Sequence, residues 1–378
     1  MVKTQYLAPD WRGCYHLWAF FTGLSAESHR IAFDALTHEQ IRAPVSERTT
    51  DPIALSVESL SRNHYMPDFP KLKPLAKSLL SFVAPSIGTV HGYSNPLGTL
   101  SAASCYSIFL RHMSILRTAG VQGVPPVVAE LGPGSSHGTG FAALIAGAEQ
   151  YYALDLIDFS DAAVNVAIFD QLVALFSQQA AIPSSGLHSL RFPDLDCYDF
   201  PDFLAVKTGP AFDSRIVAIR EDIVQRAGRF VLTAAPWTEA TILRQNSVDW
   251  IFSQSVLEHI DDLAGVYRAL AQWLKPSGHM SHLIDFGSHG LTYEWNGHWA
   301  LSDAMWRALR GRRQYLINRQ PFAEHARLAA SNGFVTVLQR RSKRFDGLIP
   351  EQFAPVFRSV SDEDARTHMV FVVSRRTA

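Results

Sequence analysis

Val127-Val128-Ala129-Glu130-Leu131-Gly132-Pro133-Gly134-Ser135-Ser136 is the stretch from which the rest of the chain can be read. Its first five residues are a short apolar run, typical of a strand buried on both faces of a parallel sheet. Pro125 and Pro126 end whatever helix comes before it. The glycines that follow let the backbone turn sharply and let a ligand approach the main chain. Residues 151–154 read as a second strand ending at Asp155, 21 residues after Gly134. In nucleotide-binding βαβ units an acid about 20 residues past the turn reaches ribose hydroxyls.

Outward from this unit, apolar runs at 230–233, 250–253 and 280–284 predict further strands. Helical spacing at 141–146, 162–176, 213–227 and 262–274 separates them, and runs at 334–338 and 369–373 close the series. Alternating strands and helices predict an α/β fold, a doubly wound, mostly parallel seven-stranded sheet. Residues 1–120 show amphipathic spacing at 25–36, 72–83 and 101–119, expected to form a helical N-terminal extension before a main domain at 121–378. Residues 182–210, with four prolines and aspartates at 194, 196, 199 and 202, read as an inserted loop whose acids are solvated or capping groups.

Composition narrows the function classes. The 378 residues are 47% hydrophobic and 18% charged, enough to bury a large core. A net charge of −1 gives no basic excess for a nucleic-acid binder, and the basic run at 307–313 reads as the solvated face of a helix. Three scattered cysteines form neither a metal pattern nor a disulfide framework, which predicts a reducing, cytoplasmic setting. No apolar run reaches the ~18 residues of a membrane span. Oligomeric state is left open.

The turn also discriminates between cofactors. A dinucleotide fingerprint needs a third glycine where His137 stands, because its helix N-terminus must hold a pyrophosphate. Glu130 suits a cationic ligand. S-adenosylmethionine fits both points, with a sulfonium, an α-ammonium and no phosphate.

ELGPG followed by the distant Leu154-Asp155 is similar to the first two motifs of class I S-adenosylmethionine-dependent methyltransferases, which are Rossmann-like. Residues 246–260 resemble their fourth strand and the helix entry after it, and residues 274–279 their turn before strand five, with Ser277 where glycine is commoner. The resemblance implies that Glu130, Gly132, Pro133 and Gly134 line the methionine end, that Asp155 binds the ribose, and that Ser253 and Gln254 complete the cofactor site. The turn after strand three lacks the usual acid, which leaves adenine to backbone groups and Trp237.

Residues 281–289 fall at the carboxyl end of strand five, the edge where open α/β sheets bind ligands. His282, Asp285 and His289 are therefore candidates to orient an acceptor hydroxyl and remove its proton, with His259 on the methyl-transfer side. The alternative is that His282 and Asp285 form a hydrogen-bonded pair holding the loop. The H-x2-D-x3-H pattern lacks a fourth ligand, so no metal is expected. The stretch from His282 to Asn318-Arg319 resembles a branch of these methyltransferases associated with polysaccharide and cell-surface glycan synthesis. Methyl transfer to oxygen of a small-molecule or glycan acceptor is the expectation. Its rivals are a nicotinamide-dependent oxidoreductase and a non-catalytic S-adenosylmethionine-binding protein.

Overall fold

The computed structural model describes residues 70–83, 99–184, 192–204, 208–237, 242–313 and 316–377. The expected helix at 25–36 lies outside them. Strands β1 (Val127–Leu131), β2 (Gln150–Leu154), β3 (Val231–Ala234), β4 (Val248–Gln254), β5 (Leu274–Asp285), β6 (Phe334–Lys343) and β7 (Thr367–Arg376) form one sheet in the order β3-β2-β1-β4-β5-β7-β6. The first five run parallel; β7 is antiparallel to both β5 and β6. This is the mostly parallel seven-stranded sheet expected. The chain leaves β1 toward β2 and β3, then returns to β4 on the other side. The strand order switches between β1 and β4, the place at whose carboxyl ends open α/β sheets bind ligands.

Alternation along the strands divides the core. Val128, Tyr151, Ala153, Trp250, Phe252, Leu283 and Phe371 face one side; Ala129, Leu131, Leu154, Ile251, Met280, Ile284 and Val370 face the other. After an outlying helix α1 (Leu72–Val83), the first side is covered by α2 (Ala102–Thr118), α3 (Gly138–Ala146), α4 (Ala162–Ser177) and α5 (Pro210–Gln225). Helix α2, expected within the N-terminal extension, is thus a full member of the layer: Cys105, Tyr106, Phe109, Leu110 and Met113 are fully buried there. The second side is covered by α6 (Leu263–Trp273), followed in the chain by α7 (Asp303–Arg310) and then by α8 (Phe322–Ser331), which shares that layer. Helix α7 packs on α1, where the Ser78 hydroxyl donates to the Ala308 carbonyl at 2.5 Å.

Before Pro210, where α5 starts, the insertion carries no helix or strand among its described residues. It is nevertheless anchored. Arg111 of α2, 1% exposed, donates to the carbonyls of Pro183 and Pro193 at 2.8 and 2.7 Å. A buried guanidinium with these partners ties the start and the middle of the loop to the helical layer. No helix among the described residues is long and apolar enough to cross a membrane.

Candidate active site

Two neighbouring groups of side chains meet at the carboxyl edge. The first is built on the glycine turn. Gly132 and Gly134 have φ of +63° and +74°, backbone that side chains rarely adopt. A Cβ on Gly132 would also lie 2.6 Å from Cγ2 of Val256, so that residue closes over the turn from the end of β4. Asp155 holds the turn from β2: its carboxylate accepts from the amides of Gly134 at 3.2 Å and Leu156 at 2.7 Å. Burial pushes the Asp155 carboxyl up, against these amides. Pro133 stands between the two glycines at the sheet edge.

The amides after the turn are committed to side chains. Ser135 donates to Thr99 Oγ1 at 3.1 Å, His137 to Asn165 Oδ1 at 3.0 Å and Gly138 to Ser136 Oγ at 3.3 Å. With Gly134 on Asp155, four of the five amides from Gly134 to Gly138 at the entry to α3 are occupied by protein. A pyrophosphate would have to displace them. His137 occupies the third-glycine place, 5% exposed, its imidazole held neutral near pKa 4 by burial. The close helix–strand contact falls instead to Gly140, where a Cβ would lie 2.0 Å from the Tyr151 ring.

Glu130 differs from its expected placement. Its side chain turns into the core under the sheet, 2% exposed, and accepts from the Tyr151 hydroxyl at 2.6 Å. Burial pushes its carboxyl up to about 8, so at neutral pH it is largely protonated. Ser253 and Gln254 both carry histidine partners, on opposite faces of β4. Ser253 Oγ lies 2.8 Å from Nδ1 of His282, and Gln254 Oε1 lies 3.3 Å from Nε2 of His112. The Trp237 amide donates to the Asp155 carbonyl at 3.1 Å, and its ring packs edge-on against Trp273.

The second group lies at the ends of β4 and β5. Asp285 Oδ2 is 3.5 Å from Nε2 of His289, and Oδ1 is 3.8 Å from Nε2 of His368. Burial alone would raise the Asp285 carboxyl, but His289, His368 and the Gly287 amide hold it below its ordinary value. His259 meets the His289 ring edge-to-face with centroids 5.0 Å apart. Beneath them Glu258 is 3% exposed, its carboxyl raised well above the usual range by burial and by Asp285. His298, buried, is held neutral near pKa 3 by desolvation, with the Arg319 charge adding to it.

The structure therefore brings His259, Asp285 and His289 together and leaves His282 out. His282 and Asp285 do not form the pair considered from the sequence. Residues three apart on a strand point to opposite faces, and Asp285 turns to His289 instead. His282 is fully buried and held near pKa 3 by desolvation, so it has no route to an acceptor. Glu258, His298 and His368 were missed. Glu258 had a signal, since it stands beside His259 in a stretch already marked as a strand end. His298 and His368 come from distant segments and had none.

Residues 216–281, from α5 into β5, match the model of a methyltransferase domain family. No curated protein matches the chain. Among solved structures, an S-adenosylmethionine-dependent methyltransferase from Mesorhizobium loti is 16% identical, with a TM-score of 0.33 over 69% of this chain and 96% of that one. Phosphoethanolamine N-methyltransferase 2 from Haemonchus contortus, in complex with S-adenosyl-L-methionine, is 14% identical over 71% and 52% of the two chains, with a TM-score of 0.35. The CurJ carbon methyltransferase is 12% identical over 96% and 84%, with a TM-score of 0.37. The matched residues run from α5 through β3 and β4 into β5, so the part of the sheet that leads to Glu258 and His259 is the segment similar to a methyltransferase domain.

Proposed function

We propose that the chain transfers the methyl group to an oxygen of a small-molecule or glycan acceptor, with the donor on the glycine turn and the acceptor against His259, Asp285 and His289. The observation that carries this reading is the adjacency of the two groups. Val256, which closes on Gly132, is three residues from His259. A donor on the turn therefore presents its methyl toward the histidine cluster. Gly132, Pro133 and Gly134 leave room for the methionine end, Asp155 receives ribose hydroxyls, and Trp237, Ser253 and Gln254 border the remainder. Glu130 supports the turn from below through Tyr151.

The reaction needs little else. The acceptor oxygen attacks the methyl carbon in line, the carbon–sulfur bond breaks, and its electron pair stays on sulfur as S-adenosylhomocysteine. Holding both reactants in line supplies much of the acceleration. The cluster orients the hydroxyl and assists loss of its proton, which contributes typically ~10²–10⁴-fold. A net charge of −1 favours such an acceptor over nucleic acid. Free Cys105 and Cys197 suit a reducing, cytoplasmic setting.

Methyl-labelled S-adenosylmethionine, incubated with the protein and fractionated cell extract, tests the acceptor. Label in a base-stable ether of a small molecule or glycan is the expected result. Label on nitrogen, on RNA or on protein would overturn the acceptor assignment.

A further inference from the structure

The acceptor edge contains a group of side chains that its protein surroundings leave incomplete. Glu258 is 3% exposed, yet neither carboxylate oxygen makes a hydrogen bond. A buried carboxyl without a partner stays neutral, and a cation facing it would hold its ionised form. His259 and His289 supply the rest of the group, and one ligand atom from each of the three residues lies within 4.8 Å of the others.

We propose that Glu258, His259 and His289 hold a divalent transition-metal ion of the zinc type, with an open coordination position toward the methyl acceptor. Two imidazoles and one carboxylate are a donor set that suits zinc and its neighbours, whereas magnesium prefers all-oxygen ligands and keeps its water. Ligands at about 2.0–2.1 Å from one ion stand roughly 3.4 Å apart in a tetrahedron. The present spacing therefore closes by small rotations, for which His289, with a side chain 32% exposed, has the room. The exposed edge of His289 is also the entry path for the ion.

Asp285 fits as the orienting partner. It lies 3.5 Å from Nε2 of His289, leaving Nδ1 for the ion, and carboxylates that fix a ligand histidine from behind are a recurrent feature of such sites. The pattern set aside in the sequence, His282 with Asp285 and His289, is not this site. His282 bonds Ser253 on the far face, and Glu258 takes its place as the third ligand.

This inference rests on the acceptor binding at the same edge. The acceptor oxygen would occupy the open position and lose its proton to solvent as the ion lowers its pKa. The oxygen then attacks the methyl carbon as the carbon–sulfur bond breaks.

The test uses the full chain, stripped with chelator. Calorimetric titration with Zn²⁺ should show one ion per chain, Mg²⁺ should bind far more weakly, and Co²⁺ should give the visible bands of a nitrogen-ligated site. Glu258→Gln and His289→Ala should each weaken Zn²⁺ at least tenfold while S-adenosylhomocysteine affinity stays unchanged. His289→Ala, on the exposed side, keeps the test valid if Glu258→Gln does not fold. No ion bound by the wild type, or equal binding by wild type and His289→Ala, overturns the site. If the ion binds as expected but labelled-methyl transfer is the same with and without it, the metal site stands and its acceptor role fails. If transfer proceeds in stripped protein that binds no ion, the acceptor reading stands and the metal fails.

Discussion

The two halves of the carboxyl edge differ in what they leave unpaired. At the ends of β1 and β2 the amides of Gly134, Ser135, His137 and Gly138 all have protein partners. At the ends of β4 and β5 the Glu258 carboxylate has no hydrogen bond, and Nδ1 of His298 is buried without a partner. In the proposed reading the first half takes a donor that brings no phosphate, and the second takes the acceptor or an ion as partner for its unpaired groups. Preorganisation on one side and unsatisfied polarity on the other suit a reaction that fixes one reactant tightly and does its proton chemistry on the other.

The largest effect that sharpens this contrast is acid lability. His112 and His282 beside β4 and β5, with His298 and His325 on the same half of the sheet, sit near pKa 3 to 4, as does His137 on the donor side. Burial favours their neutral form in the folded state. The unfolded chain takes up protons near pH 6.5, so this stability is complete above that pH and is lost as pH falls toward 4 and below. Each contributes about 1.4 kcal/mol per pH unit through that window, so together they rival the net stability of about 5–15 kcal/mol of a domain. Circular dichroism should show cooperative acid unfolding, and His282→Asn should move its midpoint to lower pH. An unmoved midpoint would remove His282 from the account.

Next comes chemistry. His289→Gln should lower the methyl-transfer rate by about 10²–10⁴-fold and leave S-adenosylhomocysteine affinity intact. If donor affinity falls instead, the two halves are not separate. On the donor side, Asp155→Ala removes hydrogen bonds to a charged acceptor, each of about 1.5–3 kcal/mol, so calorimetry should find donor binding weaker by at least tenfold. Unchanged affinity would sink the ribose assignment.

The smallest effect concerns Glu130. Its carboxyl is raised to about 8, so the folded state keeps a proton that the unfolded chain releases above about 4.5. That stability is present at low pH and lost as pH rises through 8. Glu130→Gln should therefore raise Tm at pH 8 more than at pH 5, by about 2–4 °C for each kcal/mol recovered. A wild-type and variant difference independent of pH would mean that Glu130 is ionised.

The strand ladder was legible from the sequence because each buried strand shows as a short apolar run, and the glycine turn with its Asp155 contact because they follow a local spacing. Helix α2 was legible as a helix but not as part of the sheet's layer, since amphipathic spacing does not name the surface it packs on. Strand β5 begins at Leu274, six residues before the apolar run, because Leu274 pairs with Val248 and the ladder resumes at His279 after a register shift. The candidate site was legible only in part. Alternation placed His282 on the wrong face for Asp285, which a three-residue spacing does reveal. The assembly of Glu258, His298 and His368 around His289 depends on contacts between distant segments, and no local pattern encodes it.

The central claim is a donor without phosphate. Parallel calorimetric titrations of the full chain with S-adenosylmethionine and with a nicotinamide dinucleotide test it most directly. One S-adenosylmethionine per chain and no dinucleotide binding is the predicted result. Dinucleotide binding with no heat from S-adenosylmethionine would contradict it.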